Sequence, residues 1–215
     1  MREGTREQPV SIGLPAREDR RLSMPFNLPN LLTWQRILAI PLLVAVYLVP
    51  WEGWSMHSRN LVATVIFVLA ALTDWVDGYL ARRLGQQTAF GAFLDPVADK
   101  LLVCVALVML LDLDRVAAGV AAVIIGREIA ISALREWMAT IGARSSVAVG
   151  SLGKFKTVLQ LVAIPLLLFH DPLFDLVDTQ QLGTWLIYLA AFLTLWSMGY
   201  YLKQAWPQLR DGGGT

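Results

Sequence analysis

Six long apolar stretches set the strongest limit on how this 215-residue chain can fold. Each is about long enough to cross a hydrocarbon core of roughly 30 Å, and each is too long and too evenly apolar for a barrel strand. A span in lipid must satisfy its own backbone hydrogen bonds, which favours helices. The sequence therefore predicts an all-α integral membrane protein with six transmembrane helices, near residues 31–49, 61–81, 91–111, 116–141, 152–169 and 183–202.

Composition agrees with a membrane environment and excludes two other classes. Hydrophobic residues make up 56% of the chain and charged residues 16%, whereas a soluble domain carries roughly 25% charged residues. The formal net charge of +1 gives no strong field for nucleic acid. Cys104 is the chain's one cysteine, so no intrachain disulfide can form.

The polar segments divide the chain into three parts. Residues 1–27 form a polar N-terminal segment that lacks the apolar core and cleavage site of a signal peptide. Within it, residues 17–27 show a weak pattern for a short interfacial helix. Residues 28–206 hold the six-helix domain, and 207–215 form a short tail.

The distribution of Lys and Arg predicts the orientation. With six spans, both termini lie on one side, and that side carries twelve of the cations outside or at the ends of the spans. The opposite loops carry Arg59 and Arg115 and are otherwise acidic. The positive-inside rule therefore predicts cytoplasmic termini.

Ionisable residues also occur inside or at the edges of the predicted spans, where each costs several kcal/mol if it faces lipid. Their number predicts a hydrated, protein-lined cavity; the alternative is a set of internal salt bridges that only orient helices. The residues are Arg36, Asp74, Asp77, Asp95, Asp99, Lys100, Arg127, Glu128, Arg135 and Glu136.

Four of these residues are regularly spaced aspartates. Asp74 and Asp77 stand at i, i+3 near the end of the second span, and Asp95 and Asp99 at i, i+4 on the third. Two antiparallel helices joined by a short basic turn would bring all four carboxylates to one depth. Divalent cations with oxygen ligands relieve the repulsion between such anions. The pattern predicts two metal ions, Mg²⁺ or Mn²⁺.

Zinc would require His or Cys ligands. His57 and His170 are both expected in the opposite loops, as plain loop residues.

Small residues accompany the aspartates. Gly78, Ala81 and Gly91 leave the helix faces beside the acids bare, so that a phosphate can approach the backbone. Close helix packing is the alternative reading. The guanidinium of Arg82 could pair with a phosphate beside the metals.

These residues carry a family resemblance. The string Asp74-x-x-Asp77-Gly78-x-x-Ala81-Arg82, followed by eight residues and then Gly91-x-x-x-Asp95-x-x-x-Asp99, resembles the signature of the CDP-alcohol phosphotransferases at every position. Segments 27–33, 126–137 and 153–157 are similar to the branch of that family that uses glycerol 3-phosphate. Residues 1 to about 25 fall outside the resemblance, and Trp34-Gln35 replaces an expected apolar pair.

The resemblance implies transfer of a CMP-activated phosphatidyl group from CDP-diacylglycerol to sn-glycerol 3-phosphate. It implies that the four aspartates are metal ligands and that Asp99 also takes the proton from the attacking hydroxyl. Residues expected to contact CDP are Thr33, Gly78, Ala81, Arg82 and Gly91. The resemblance further implies a homodimer in a bacterial inner membrane.

A phosphorylated acceptor requires cations near the metals. Arg127 and Arg135 are about two turns apart on one helix face, and Lys154 and Lys156 lie at the mouth of the next span. Together with Arg36 they are the predicted acceptor phosphate site. The alternatives are anchoring of the lysines at the membrane surface and pairing of the two arginines with Glu128 and Glu136.

Two other functions remain open at this point. The same chemistry could act on inositol phosphate or another alcohol. A divalent-cation transporter would also bind metal through intramembrane acids, although it usually places them at the midplane between inverted repeats, and no repeat is visible in this sequence.

Overall fold

The structure, a computed structural model, describes residues 28–84, 89–140, 151–173 and 176–211. At 28–32, 74–84, 89–93, 151–154 and parts of the last helix it gives the helix but not the side chains. The described residues form six α-helices and no strand apart from an isolated bridge between Leu173 and Val177. The helices are α1 (Leu28–Leu48), α2 (Met56–Leu84), α3 (Ala89–Asp112), α4 (Ala118–Thr140), α5 (Ser151–Phe169) and α6 (Thr179–Asp211).

The predicted all-α fold with six helices is confirmed over these residues. Each helix coincides with one predicted apolar stretch, but α2 and α6 extend further, to 29 and 33 residues. α6 continues to Asp211, past the expected domain boundary at 206. The expected interfacial helix at 17–27 lies outside the described residues.

Two of the helices contain stretches long and apolar enough to cross a membrane, Met56–Thr73 and Thr179–Tyr200. Large apolar side chains also cover the outward faces of the bundle; Leu38, Leu69 and Phe192, on three different helices, are each more than half exposed. A soluble monomer rarely exposes so many large apolar side chains. The fold is therefore that of a membrane protein.

The apolar core occupies one half of the bundle. Its fully buried side chains lie in the second half of α1 and α3 and in the first half of α2, α4 and α6, for example Leu43, Phe67, Leu107, Ile124 and Ile187. The half that contains the start of α1, α3 and α5 instead buries polar and charged side chains. The predicted site residues Arg36, Asp95, Asp99 and Lys156 lie in this half, while the opposite end buries a smaller polar group of its own, Asn60, Arg115 and Thr179.

The close packing of α5 against α6 depends on a glycine. These two helices share the most extensive contact in the described structure. A Cβ added at Gly183 of α6 would come within 2.8 Å of Leu167 Cγ and 3.3 Å of the Ala163 carbonyl oxygen on α5. Gly183 is therefore required for the approach of the two backbones.

A buried arginine closes the opposite end of the bundle. Arg115, in the α3–α4 connection, donates hydrogen bonds to the carbonyls of Leu167 (3.1 Å) and Leu168 (2.8 Å) near the end of α5 and to Asn60 Oδ1 (2.8 Å) near the start of α2. The last carbonyls of a helix lack partners within the helix. Arg115 supplies those donors and joins three parts of the fold.

Candidate active site

Two side-chain pairs join α1 to α3 at the polar end. Thr33 Oγ1 donates a hydrogen bond to Asp95 Oδ1 at 2.5 Å, and Arg36 donates to Asp99 Oδ1 at 2.5 Å. Thr33 and Arg36 are one turn apart on α1, as Asp95 and Asp99 are on α3. The earlier residue of α1 contacts the earlier residue of α3, and the later contacts the later. The two helices therefore run parallel, with α2 between them in sequence.

Arg36 and Asp99 differ sharply in exposure. The side chain of Arg36 is fully buried, whereas 43% of the Asp99 side chain is exposed. The arginine thus fixes one carboxylate oxygen from the protein side while the acid still faces open space. A group that must contact both a metal and a substrate hydroxyl needs such access.

The other predicted metal ligands lie on the neighbouring helix. Asp74 and Asp77 belong to the second half of α2, and α2 contacts α3. The structure describes neither their side chains nor those of Ala81 and Arg82, and Gly78 and Gly91 lie in the same two stretches. Among the side chains that the structure describes, no three His, Cys, Asp or Glu residues come together. Convergence of all four aspartates stays a prediction.

The described half of the donor set fits a hard divalent cation. Asp95 and Asp99 offer carboxylate oxygens one turn apart, and each is oriented by a partner on α1. Both histidines lie at the other end of the bundle. His57 is near the start of α2 and its Nδ1 is 2.7 Å from Asp171 Oδ2, and His170 follows the end of α5. His57 is the second residue of α2, so its expected place in a loop was wrong; His170 does lie in a loop. Oxygen donors without imidazole favour Mg²⁺ or Mn²⁺ over zinc.

A second charged cluster connects α4, α5 and α6. Glu128 Oε1 accepts hydrogen bonds from Arg127 Nη1, at 3.0 Å, and from Lys156 Nζ. Arg127 also donates to Ser197 Oγ on α6 at 3.4 Å. Arg127 and Lys156 are 5% and 2% exposed. The structure therefore brings together two of the cations predicted for an acceptor phosphate.

The remaining predicted acceptor residues are distributed differently. Arg135, two turns from Arg127 on α4, is exposed rather than buried. Arg36 contacts Asp99 on the aspartate side of the site. The side chain of Lys154, in the first turn of α5, lies outside the described residues. Roles for these three in acceptor binding stay predictions.

Sequence reasoning raised Glu128 as a pairing partner of Arg127 but did not anticipate its second contact, with Lys156 28 positions away. It also missed Ser197, which lies within an apolar stretch of α6. A serine there carries no signal of its own, because isolated small polar residues are common in membrane helices.

Comparison with known proteins agrees with the aspartate pattern. The family model for CDP-alcohol phosphatidyltransferase matches residues 26–196. Curated proteins named CDP-diacylglycerol–glycerol-3-phosphate 3-phosphatidyltransferase, from Salmonella choleraesuis, Shigella flexneri and Escherichia coli K12, are each 48% identical over 190 residues. The match covers 87% of this chain and the full length of each relative. The chain belongs to the CDP-alcohol phosphatidyltransferase family.

Proposed function

We propose that this chain transfers the phosphatidyl group of CDP-diacylglycerol to sn-glycerol 3-phosphate and releases phosphatidylglycerophosphate and CMP. The names of its relatives support both substrates. The observation that carries the proposal is the pairing of Asp95 and Asp99 with Thr33 and Arg36. It orients the second half of the aspartate motif and leaves Asp99 accessible to a substrate hydroxyl.

The metal site would consist of Asp74, Asp77, Asp95 and Asp99. Members of this family use divalent cations, and the carboxylate donors of this chain suit two Mg²⁺ or Mn²⁺ ions. Bound there, the ions would polarise the attacked phosphorus and stabilise the departing CMP phosphate. Thr33 holds Asp95 by one oxygen, which fixes the direction of the carboxylate before a ligand arrives.

Asp99 is the proposed general base. It takes the proton from the glycerol 3-phosphate hydroxyl as the hydroxyl oxygen attacks the β-phosphorus of CDP-diacylglycerol and the bond to CMP breaks. Arg36 positions Asp99 Oδ1 for this step. Gly78, Ala81, Arg82 and Gly91 contact the CDP group, and Thr33 lies at the border of that site.

The acceptor phosphate binds at the cation cluster. Arg127 and Lys156 both contact one carboxylate, that of Glu128, so two positive charges lie side by side. A phosphate dianion pairs well with such a site. Arg135, which is exposed near the end of α4, and Lys154, in the first turn of α5, are proposed to bind the same phosphate.

Orientation and assembly complete the proposal. The six helices all span the membrane, with the termini and the active site on the cytoplasmic side of a bacterial inner membrane. The concentration of Lys and Arg at the aspartate end supports this orientation. The resemblance to the family supports a homodimer.

The test is CMP release by the purified protein from CDP-diacylglycerol with Mg²⁺. Glycerol 3-phosphate, inositol phosphate, inositol and serine are offered in parallel, and Asp99→Asn is the inactive control. We expect release with glycerol 3-phosphate alone. Release with another acceptor would keep the aspartate chemistry and overturn the acceptor. Metal flux into proteoliposomes without CMP release would favour a transporter.

A further inference from the structure

The carboxylate of Glu128 is a partly buried, ion-paired group that the proposed reaction does not use. Its side chain is 20% exposed, and it is positioned between two cations that are almost fully buried. One oxygen, Oε1, accepts from both Arg127 and Lys156. The separation of the two cations is therefore fixed by a single atom.

Placing two like charges together in a poorly hydrated interior is unfavourable unless an anion compensates them. Without Glu128, Arg127 would stay charged, because its guanidinium does not lose its proton in proteins. Lys156 would then turn away or become neutral, since an ammonium group on a flexible stem does either readily. Glu128 thus keeps Lys156 charged and in place.

The cluster retains hydrogen-bonding capacity beyond these ion pairs. Gln160 lies one turn after Lys156 on α5, and Thr194 one turn before Ser197 on α6. Gln160 Nε2 and Thr194 Oγ1 are buried, and neither has a hydrogen-bond partner among the described residues. Buried polar atoms are rarely left unpaired in proteins. A polar ligand bound beside the cluster would supply partners for these two atoms.

We propose that Glu128 is the positioning residue of the acceptor phosphate site, holding Arg127 and Lys156 at the separation that lets both contact one phosphate. A guanidinium carries five N–H groups and an ammonium three, more than the contacts to Glu128 and Ser197 use. Glu128 itself does not touch the acceptor. This inference rests on the proposed function and adds the group that organises its acceptor site.

Glu128→Gln separates this role from two others because it keeps the shape of the side chain and removes its charge. If Glu128 only repelled the phosphate, the substitution would lower the KM for glycerol 3-phosphate. If it only stabilised the fold, the KM would not change while Tm fell. Positioning predicts a KM for glycerol 3-phosphate raised roughly tenfold or more, with a nearly unchanged KM for CDP-diacylglycerol.

The experiment measures kcat, both KM values and Tm of the full-length protein in detergent micelles. Glu52→Gln, an exposed residue in the connection at the other end of the bundle, is the matched control and keeps wild-type constants. The double variant Glu128→Gln/Lys156→Met is expected to resemble Lys156→Met alone, because both changes remove one arrangement. An additive effect would overturn the proposal.

Glu128→Asp keeps the test decisive if Glu128→Gln does not fold. Aspartate retains the charge but is one methylene shorter, so positioning still predicts a raised KM for glycerol 3-phosphate. A wild-type KM in this variant would overturn the proposal. If the unmodified protein shows no release with glycerol 3-phosphate, the proposed function fails; if it does but Glu128→Gln keeps the wild-type KM, only this inference fails.

Discussion

Arg36 of α1 donates a 2.5 Å hydrogen bond to Asp99 of α3, across 63 positions of sequence, from a fully buried side chain. The guanidinium is a rigid fork, so its position determines the direction of the carboxylate. The packing of α1 against α3 therefore controls the orientation of the proposed general base.

Substitution Arg36→Met should lower kcat. Loss of a buried hydrogen bond to a charged group costs about 1.5–3 kcal/mol, which corresponds to roughly a 10- to 100-fold decrease. Arg36→Lys keeps the positive charge but lacks the planar guanidinium, so its kcat should lie between those of the wild-type protein and Arg36→Met. Steady-state kinetics with both substrates varied checks this. A raised KM for glycerol 3-phosphate at unchanged kcat would instead place Arg36 at the acceptor phosphate.

Thr33→Val should weaken metal binding. Valine has the shape of threonine but cannot donate to Asp95, so the carboxylate loses its orienting partner. Groups that orient metal ligands typically contribute 10- to 100-fold in metal affinity. The Mg²⁺ concentration for half-maximal activity should rise by about that factor, and Thr33→Ser should keep the wild-type value. Equal Mg²⁺ requirements in the valine and serine variants would contradict this role.

Arg115→Met should destabilise the fold without affecting catalysis. It leaves the carbonyls of Leu167 and Leu168 and the side chain of Asn60 without their donor. We expect the free energy of unfolding to fall by about 2–4 kcal/mol, with kcat and both KM values unchanged at 25 °C. Arg59→Met, which removes one 3.1 Å bond to the Tyr47 carbonyl, is the control. Equal Tm values for the two variants would refute the assignment.

The stability of the protein should fall on acidification partly through His170. Burial lowers the pKa of this imidazole below its ordinary value; Arg115 lowers the pKa further, and Asp171 and Asp178 oppose the shift. The folded state therefore binds fewer protons than the unfolded state in the range below the ordinary pKa of about 6.5. Stability contributed by neutral His170 is present above that pH and is lost as pH falls toward the lower, folded-state value.

His170→Asn tests this contribution. Asparagine tolerates the positive φ of 65° at this position and does not titrate. The decrease in Tm between pH 7 and pH 5 should be smaller in the variant than in the wild-type protein. Parallel Tm curves over that range would show that His170 contributes nothing to the pH dependence.

Much of the fold could be predicted because it is encoded locally. The apolar stretches give the number and order of the six helices in the described residues, since a helix in lipid satisfies its backbone within one segment. Helix ends were less predictable: α2 starts at Met56 and includes His57, because polar residues at a membrane surface continue a helix as readily as they end one.

The aspartate motif could also be recognised from the sequence, because its residues lie within one short segment that covers the end of α2 and the start of α3. The motif resembles the family to which the comparisons assign the chain. What the sequence by itself determined is thus the helices, the family and the identity of the acids.

Only the tertiary structure decided which side chains meet. The pairs Arg36–Asp99 and Lys156–Glu128 join different helices, and their geometry depends on the rotation and depth at which those helices pack. No local pattern encodes these two variables. They result from the fit of the apolar halves of all six helices, and that fit places a buried arginine behind the proposed base and one carboxylate between two cations.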